Sequence, residues 1–155
     1  MLFLILVVLI TAQSSFCKEL NQTNCRPKVT QKNTSMILKD LRREMQNVGI
    51  GIYIILSGDE HGSEYTQDYD KRRDWLTGFH GSSGIAIVTL QTAALWTDSR
   101  YFTQAEEELD CTNWLLMRDR TAGVPTITQW LLTMGNQTTL VSFSLRVVFV
   151  QSCTF

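Results

Sequence analysis

GFHGSSGIAIV, residues 78–88, could be a ligand cradle, a nucleophile turn or a tight connection, and each implies a different fold. Its glycines fall at 78, 81 and 84, so the spacing is G-x-x-G-x-x-G rather than the dinucleotide pattern G-x-G-x-x-G. A phosphate cradle also needs a strand before the loop and a helix after it, so that helix N-terminal amides face the anion. Here the order is reversed: helical spacing precedes the loop and an apolar strand comes after it. A serine-nucleophile turn needs glycines two residues to either side of the serine. Ser82 has His80 on one side and Ser83 has Ile85 on the other, so neither fits. What remains is a run of small residues that lets a helix turn tightly into a sheet.

On either side of this loop the same alternation repeats. Ile37, Leu38, Leu41, Met45 and Val48 keep helical spacing, with Ser35 as the cap and Gly49 as the stop. Ile50 to Leu56 is apolar on both faces, as expected of a strand covered on both sides. A short helix is predicted over residues 69–77, a strand over 85–90, a turn at Gln91-Thr92 and a hairpin partner over 93–96. Asp98 stands at an N-cap position before a helix carrying Phe102, Ala105 and Leu109. Residues 114–117 read as a strand, and 126–133 as a helix opened by Pro125. The fold class is α/β, a mixed sheet flanked by helices. Beyond Gly135 the apolar pattern changes character, either one strand with a frayed end or sequence foreign to the domain.

The 155 residues suffice for one domain. Lys and Arg number 14 against 15 Asp and Glu, so no basic excess exists to neutralise phosphates, and nucleic acid is excluded as a partner. Lys71-Arg72-Arg73 and Glu106-Glu107-Glu108 read as solvated helix faces. The unbroken apolar run Leu2 to Ile10, with Ala12-Gln13-Ser14 after it, reads as a secretory signal cleaved near residue 15 and is too short to span a bilayer. The sequons at Asn21, Asn33 and Asn136 agree with export and N-glycosylation. Cys17, Cys25, Cys111 and Cys153 would then meet an oxidising compartment, with three complete pairings open.

Candidates for chemistry are few. Asp59, Glu60, His61 and Glu64 are dense in ligand types, but one histidine does not make the zinc pattern H-E-x-x-H, and a turn with a helix start is the simpler reading. Asp98 and Arg100 read as a cap with a neighbouring ion pair. Trp75, Trp96, Trp114 and Trp130 are spread over four elements, which places them in core packing.

Taken together, SGDEHGSEY (57–65), RRDWLTGFHGSSGIAIVT (72–89), ALWTDSRYFTQAEEELDCTNWLL (94–116) and PTITQWLL (125–132) closely resemble the N-terminal domain of Xaa-Pro aminopeptidases. These are the aminopeptidase P group of the creatinase/prolidase superfamily, and the animal secreted or membrane-bound form matches best. The resemblance runs from about Ser35 to Leu132 and implies a creatinase/prolidase N-terminal-like fold. With the apolar run and the polar, sequon-bearing stretch after it, the chain divides into a signal (1–15), an exposed lead-in (16–34), the domain (35–134) and a divergent tail (135–155). The resemblance implies that Trp75, Gly78, Phe79, Gly81, Gly84, Asp98, Arg100 and Tyr101 occupy signature positions shaping the substrate cleft or a face toward a catalytic domain. No catalytic residue, metal ligand or cofactor is expected in this chain. Manganese or zinc, and proline-containing peptides as substrates, belong by the same resemblance to the catalytic domain of the full enzyme. The implied partners are that domain and a second copy in a homodimer, and the implied location is extracellular, or the cell surface for the full-length form. The alternative is a secreted interaction or dimerisation module without activity.

Overall fold

The computed structural model describes residues 28, 31–59, 63, 67–134 and 140–143. The expected signal, the sequons at Asn21 and Asn136, Cys17, Cys25 and Cys153, and Glu60, His61 and Glu64 lie outside these residues. The elements are α1 (Ser35–Asn47), β1 (Ile50–Ile55), a 3-10 turn (Asp68–Asp70), α2 (Arg72–Thr77), β2 (Ile85–Thr89), β3 (Ala93–Thr97), a second 3-10 turn (Ser99–Tyr101), α3 (Phe102–Glu108), β4 (Leu115–Arg118), α4 (Ile127–Met134) and β5 (Leu140–Phe143). The five strands form one mixed sheet in the order β4-β3-β2-β1-β5. Strands β1, β2 and β3 are antiparallel neighbours, with Tyr53 opposite Val88 and Ala86 opposite Leu95. Both edge strands run parallel to their neighbours, β4 beside β3 and β5 beside β1.

The period of two along each strand explains why the strands read as continuously apolar. Tyr53, Ile55, Ala86, Val88, Ala93, Leu95 and Leu116 point to one face, which α1, α2 and α3 cover through Leu38, Met45, Leu76 and Ala105. Ile52, Ile54, Ile87, Ala94, Trp96 and Met117 point to the other, covered by α4 through Trp130, Ile127 and Leu131. Burying each large aliphatic side chain contributes about 1.5–3 kcal/mol. Two layers of helix therefore hold a sheet whose central strands leave almost no side chain in water. Between Trp96 and Trp130 the rings meet edge to face at 5.2 Å.

Two expectations need correction, and one open alternative is decided. Ser35 is the first residue of α1 rather than its cap; Thr34 holds the cap position, and the Ser35 N–H donates to Asn33 Oδ1 at 3.0 Å. Thr34 is wholly buried, although it belongs to the lead-in expected to be exposed. Its N–H and hydroxyl both donate to Asp110 Oδ2 at 3.1 Å, and its hydroxyl accepts from Trp114 Nε1 at 3.1 Å. Of the two readings left open for the segment after Gly135, an edge strand is found: Val141 packs into the second core and Ser142 is buried. This is the one-strand reading of that segment, at least over Leu140–Phe143.

Candidate functional site

The glycine loop at 78–84 is anchored by several side chains and by its own backbone geometry. Gly78 ends α2 in the left-handed region (φ 75°), where a side chain would be strained and would meet Lys32 Cβ at 3.1 Å. Phe79 is fully buried, its N–H donating to Thr77 Oγ1 at 3.0 Å. At Gly81 a Cβ would lie 2.2 Å from the Phe79 ring and 2.9 Å from Tyr101, so only glycine lets the chain pass. Gly84 donates to Ser57 Oγ at 3.1 Å and its carbonyl accepts from the same hydroxyl at 2.6 Å.

Arg73 binds these pieces together. Its guanidinium is buried, lies 5.1 Å from the Phe79 ring centroid, and donates to the Gly81 carbonyl, the Gly84 carbonyl, Ser57 Oγ and Asp74 Oδ1 (2.7 Å). The reading of residues 71–73 as a solvated face is therefore corrected at Arg73. Helical phase held the signal, since Arg73 is three and four residues before the buried Leu76 and Thr77.

Opposite the loop, Asp98 caps the turn into α3 as expected, accepting from the Arg100 N–H at 3.0 Å. Arg100 folds back to grip the same carboxylate through Nε (3.0 Å) and Nη2 (2.8 Å). This two-pronged bond, with help from the Ser83 side chain, holds the Asp98 carboxyl well below the usual carboxylate range, against a smaller opposing effect of desolvation. The Arg100 guanidinium lies 5.2 Å from the Tyr101 ring centroid, and the Tyr101 ring meets Phe79 edge-on at 6.2 Å. Tyr101 Oη and Ser82 Oγ are 2.6 Å apart. Seven of the eight signature residues thus form one continuous structure across the ends of β2 and β3. Trp75, the eighth, stands apart from the core: it is 63% exposed, which corrects its assignment to core packing. With Gly78, Gly81 and Ser82 it lines an open, mixed polar and apolar cleft of about 990 Å³.

His80 donates its backbone N–H to Glu108 Oε2 at 2.8 Å and sets Nδ1 3.5 Å from the same oxygen, while Ser82 is engaged by Tyr101, so the two do not form a nucleophile and base. Two metal ions would need several converging ligands. Among the described residues no group of three or more His, Cys, Asp or Glu side chains gathers for an ion, so they do not fit a metal centre. Asp59 instead accepts from the Ser63 N–H at 2.9 Å, a turn contact. Cys111 is disulfide-bonded.

The family profile described as Creatinase/Prolidase N-terminal domain matches residues 37–154, which extends beyond Leu132, the expected end of the sequence resemblance. Xaa-Pro aminopeptidase 2 of Homo sapiens is 50% identical over 105 residues, covering 68% of this chain and 15% of the human protein. Xaa-Pro aminopeptidase 1 of Dictyostelium discoideum is 43% identical over 111 residues, 72% of this chain and 18% of that protein. Among solved structures, the X-prolyl aminopeptidase of Caenorhabditis elegans, described as a cytosolic enzyme with a di-nuclear active site, superposes with a TM-score of 0.57 at 40% identity. That match covers 61% of this chain and 15% of the nematode enzyme. The chain therefore spans less than a fifth of the length of these relatives.

Proposed function

We propose that this chain, which belongs to the creatinase/prolidase N-terminal domain family, serves as the non-catalytic N-terminal domain of an exported Xaa-Pro aminopeptidase. The observation that carries this reading is the anchored face itself. Arg73 fixes the glycine loop from inside, while Asp98, Arg100 and Tyr101 are fixed to one another and to Ser82 on the outside. A face so constrained, with an exposed indole beside an open cleft, suits packing against a catalytic domain and walling its substrate cleft. Cleavage before a penultimate proline, and the manganese or zinc that would activate water for it, belong in this reading to that catalytic domain. Homodimer contacts through the same surface are part of the proposal. The apolar run at residues 2–10, the sequons and the disulfide at Cys111 support an extracellular location.

The test is elemental analysis of the purified chain after gel filtration, alongside an Xaa-Pro peptide assay with added manganese. The expected result is no turnover and no stoichiometric metal. One or more ions retained per chain, or turnover, would overturn the non-catalytic assignment.

A second reading, an independent secreted interaction module, is favoured by one further feature. An apolar groove of about 650 Å³ runs between α1 and α2, flanked by Trp75 and the 78% exposed Tyr69. Sequencing the source transcript past the Gly135 codon separates the two: a downstream metal domain supports the first, a short transcript with abundant secreted product the second.

A further inference from the structure

We propose that Asn33 carries an N-linked oligosaccharide, joined to it only before the segment around it docks onto the fold. The inference rests on the export reading and adds to it a site and a time. Asn33-Thr34-Ser35 is the one sequon inside the described residues, and Asn33 is exposed. Its Oδ1 accepts from the Ser35 N–H at 3.0 Å, while Nδ2, the nitrogen that would take the sugar, has no partner among the described residues. Asn33 is exposed, and a glycan on Nδ2 leaves that hydrogen bond in place.

The folded sequon is nevertheless a poor acceptor. The pattern requires the hydroxyl at its third position as well as the asparagine, so the transferring enzyme must hold Asn33 and Ser35 together. Between them Thr34 is wholly buried, held by Asp110 through two hydrogen bonds and by the Trp114 indole. Ser35 Oγ itself accepts from Asn113 Nδ2 at 2.9 Å. Drawing the triplet into an enzyme site would extract a buried polar residue and strip two hydrogen bonds from the Asp110 carboxylate, which is 6% exposed. Asp110, Asn113 and Trp114 come more than seventy positions after the sequon, so a growing chain presents Asn33 free well before its anchors exist. In the transfer, a bond forms between Asn33 Nδ2 and the anomeric carbon of a lipid-diphosphate-linked oligosaccharide. The bond from that carbon to the diphosphate breaks, the diphosphate leaves with the electron pair, and the amide gives up one proton.

The experiment uses the full chain as an N21Q/N136Q variant, so that only this sequon remains, expressed in a secretory cell. Amidase release in heavy-oxygen water should convert Asn33 to a labelled aspartate, and Ser35→Ala, which spares the Asn33 hydrogen bond, should abolish the label. Protein recovered from the medium with Asn33 unmodified would overturn the site while leaving export intact. Protein found only in the cytosol would sink export instead; the same chain behind a foreign secretory leader then tests Asn33 separately, and an unmodified residue there overturns the site. For the timing, unglycosylated full chain is offered to a solubilised transferase with lipid-linked oligosaccharide, either folded or reduced and unfolded. Modification of the unfolded form alone is expected, and equal modification of the folded form would refute the order of events.

Discussion

Arg73 is the residue on which the glycine loop depends, and its replacement gives the sharpest test of the anchored face. Arg73→Ala removes the donors to Gly81 and Gly84, uncovers the Phe79 ring, and leaves Asp74, whose side chain is 19% exposed, without its cation. The Gly84 carbonyl keeps its bond from Ser57 at 2.6 Å, but no other hydrogen bond to the Gly81 carbonyl is seen among the described residues. Breaking a buried ion pair from one side costs roughly 3–5 kcal/mol, so about 4 kcal/mol is expected for alanine. Arg73→Lys keeps the charge but cannot span a loop carbonyl, Ser57 and Asp74 together, and should cost about 2 kcal/mol. Arg73→Met keeps the stem over Phe79 without any donor and should fall between them. With a urea slope of about 2 kcal/mol per molar, the midpoint monitored by far-UV circular dichroism should drop by about 2 M for alanine and about 1 M for lysine. Amide exchange at Gly81 to Gly84 should quicken in the same order. A midpoint loss below about 0.5 M for alanine, well under the range for a buried pair, would refute the clamp. So would unchanged loop exchange in a destabilised variant.

The geometry sets four further outcomes. Gly81→Ala drives a methyl into Phe79 and Tyr101 and should cost about 2–3 kcal/mol in the same urea assay, in the range of other overpacked sites. At Asp110 burial opposes the charge, yet hydrogen bonds from Thr112, Asn113 and Thr34 prevail and the carboxyl sits below its ordinary value. A depressed folded value means the stabilisation is present above the unfolded carboxylate value of about 3.9 and is lost as pH falls through the folded one, so the stability gap between wild type and Asp110→Ala, large at neutral pH, should shrink below about pH 4. Truncation before Leu140 strips β1 of its parallel neighbour and should lower the thermal midpoint and promote association; a truncated chain as stable as the intact one would show that β5 adds nothing to the sheet. Trp75→Ala, at an exposed position, should change stability by no more than about 0.5 kcal/mol while weakening dimerisation in sedimentation if this face is an interface.

The alternation of elements was legible from hydrophobic period alone, because the central strands are covered on both faces and the long helices show an apolar stripe. Asp98 as a cap was legible for the same local reason: its hydrogen bond is to a residue two positions away. What escaped was set by distant partners. Nothing near Thr34 announces Asp110, and a polar lead-in gives no sign that its last residue is buried against a turn beyond α3. Arg73 sits in a run of three cations whose neighbours are solvated or paired at the surface, and only its phase with Leu76 distinguishes it. Strand β5 was obscured because the tail is rich in apolar residues along most of its length, which hides where a strand ends. Trp75 misled for the opposite reason: residue type argues for burial, and only the position of α2 at the mouth of the cleft overrides it.

The unequal burial of the tryptophans has an optical consequence. Trp96, Trp114 and Trp130 are between 0% and 3% exposed, and Trp75 is 63% exposed. A water-soluble quencher such as iodide therefore meets one indole of the four, with Lys32 Nζ lying 5.1 Å from its ring centroid to draw the anion in. The red, quenchable part of the emission reports the mouth of the cleft and the blue remainder reports the two cores. Anything that settles over the cleft should shield the first from the quencher and shift it to the blue without disturbing the second, so the protein carries its own label for occupancy at the surface where a partner is proposed to bind.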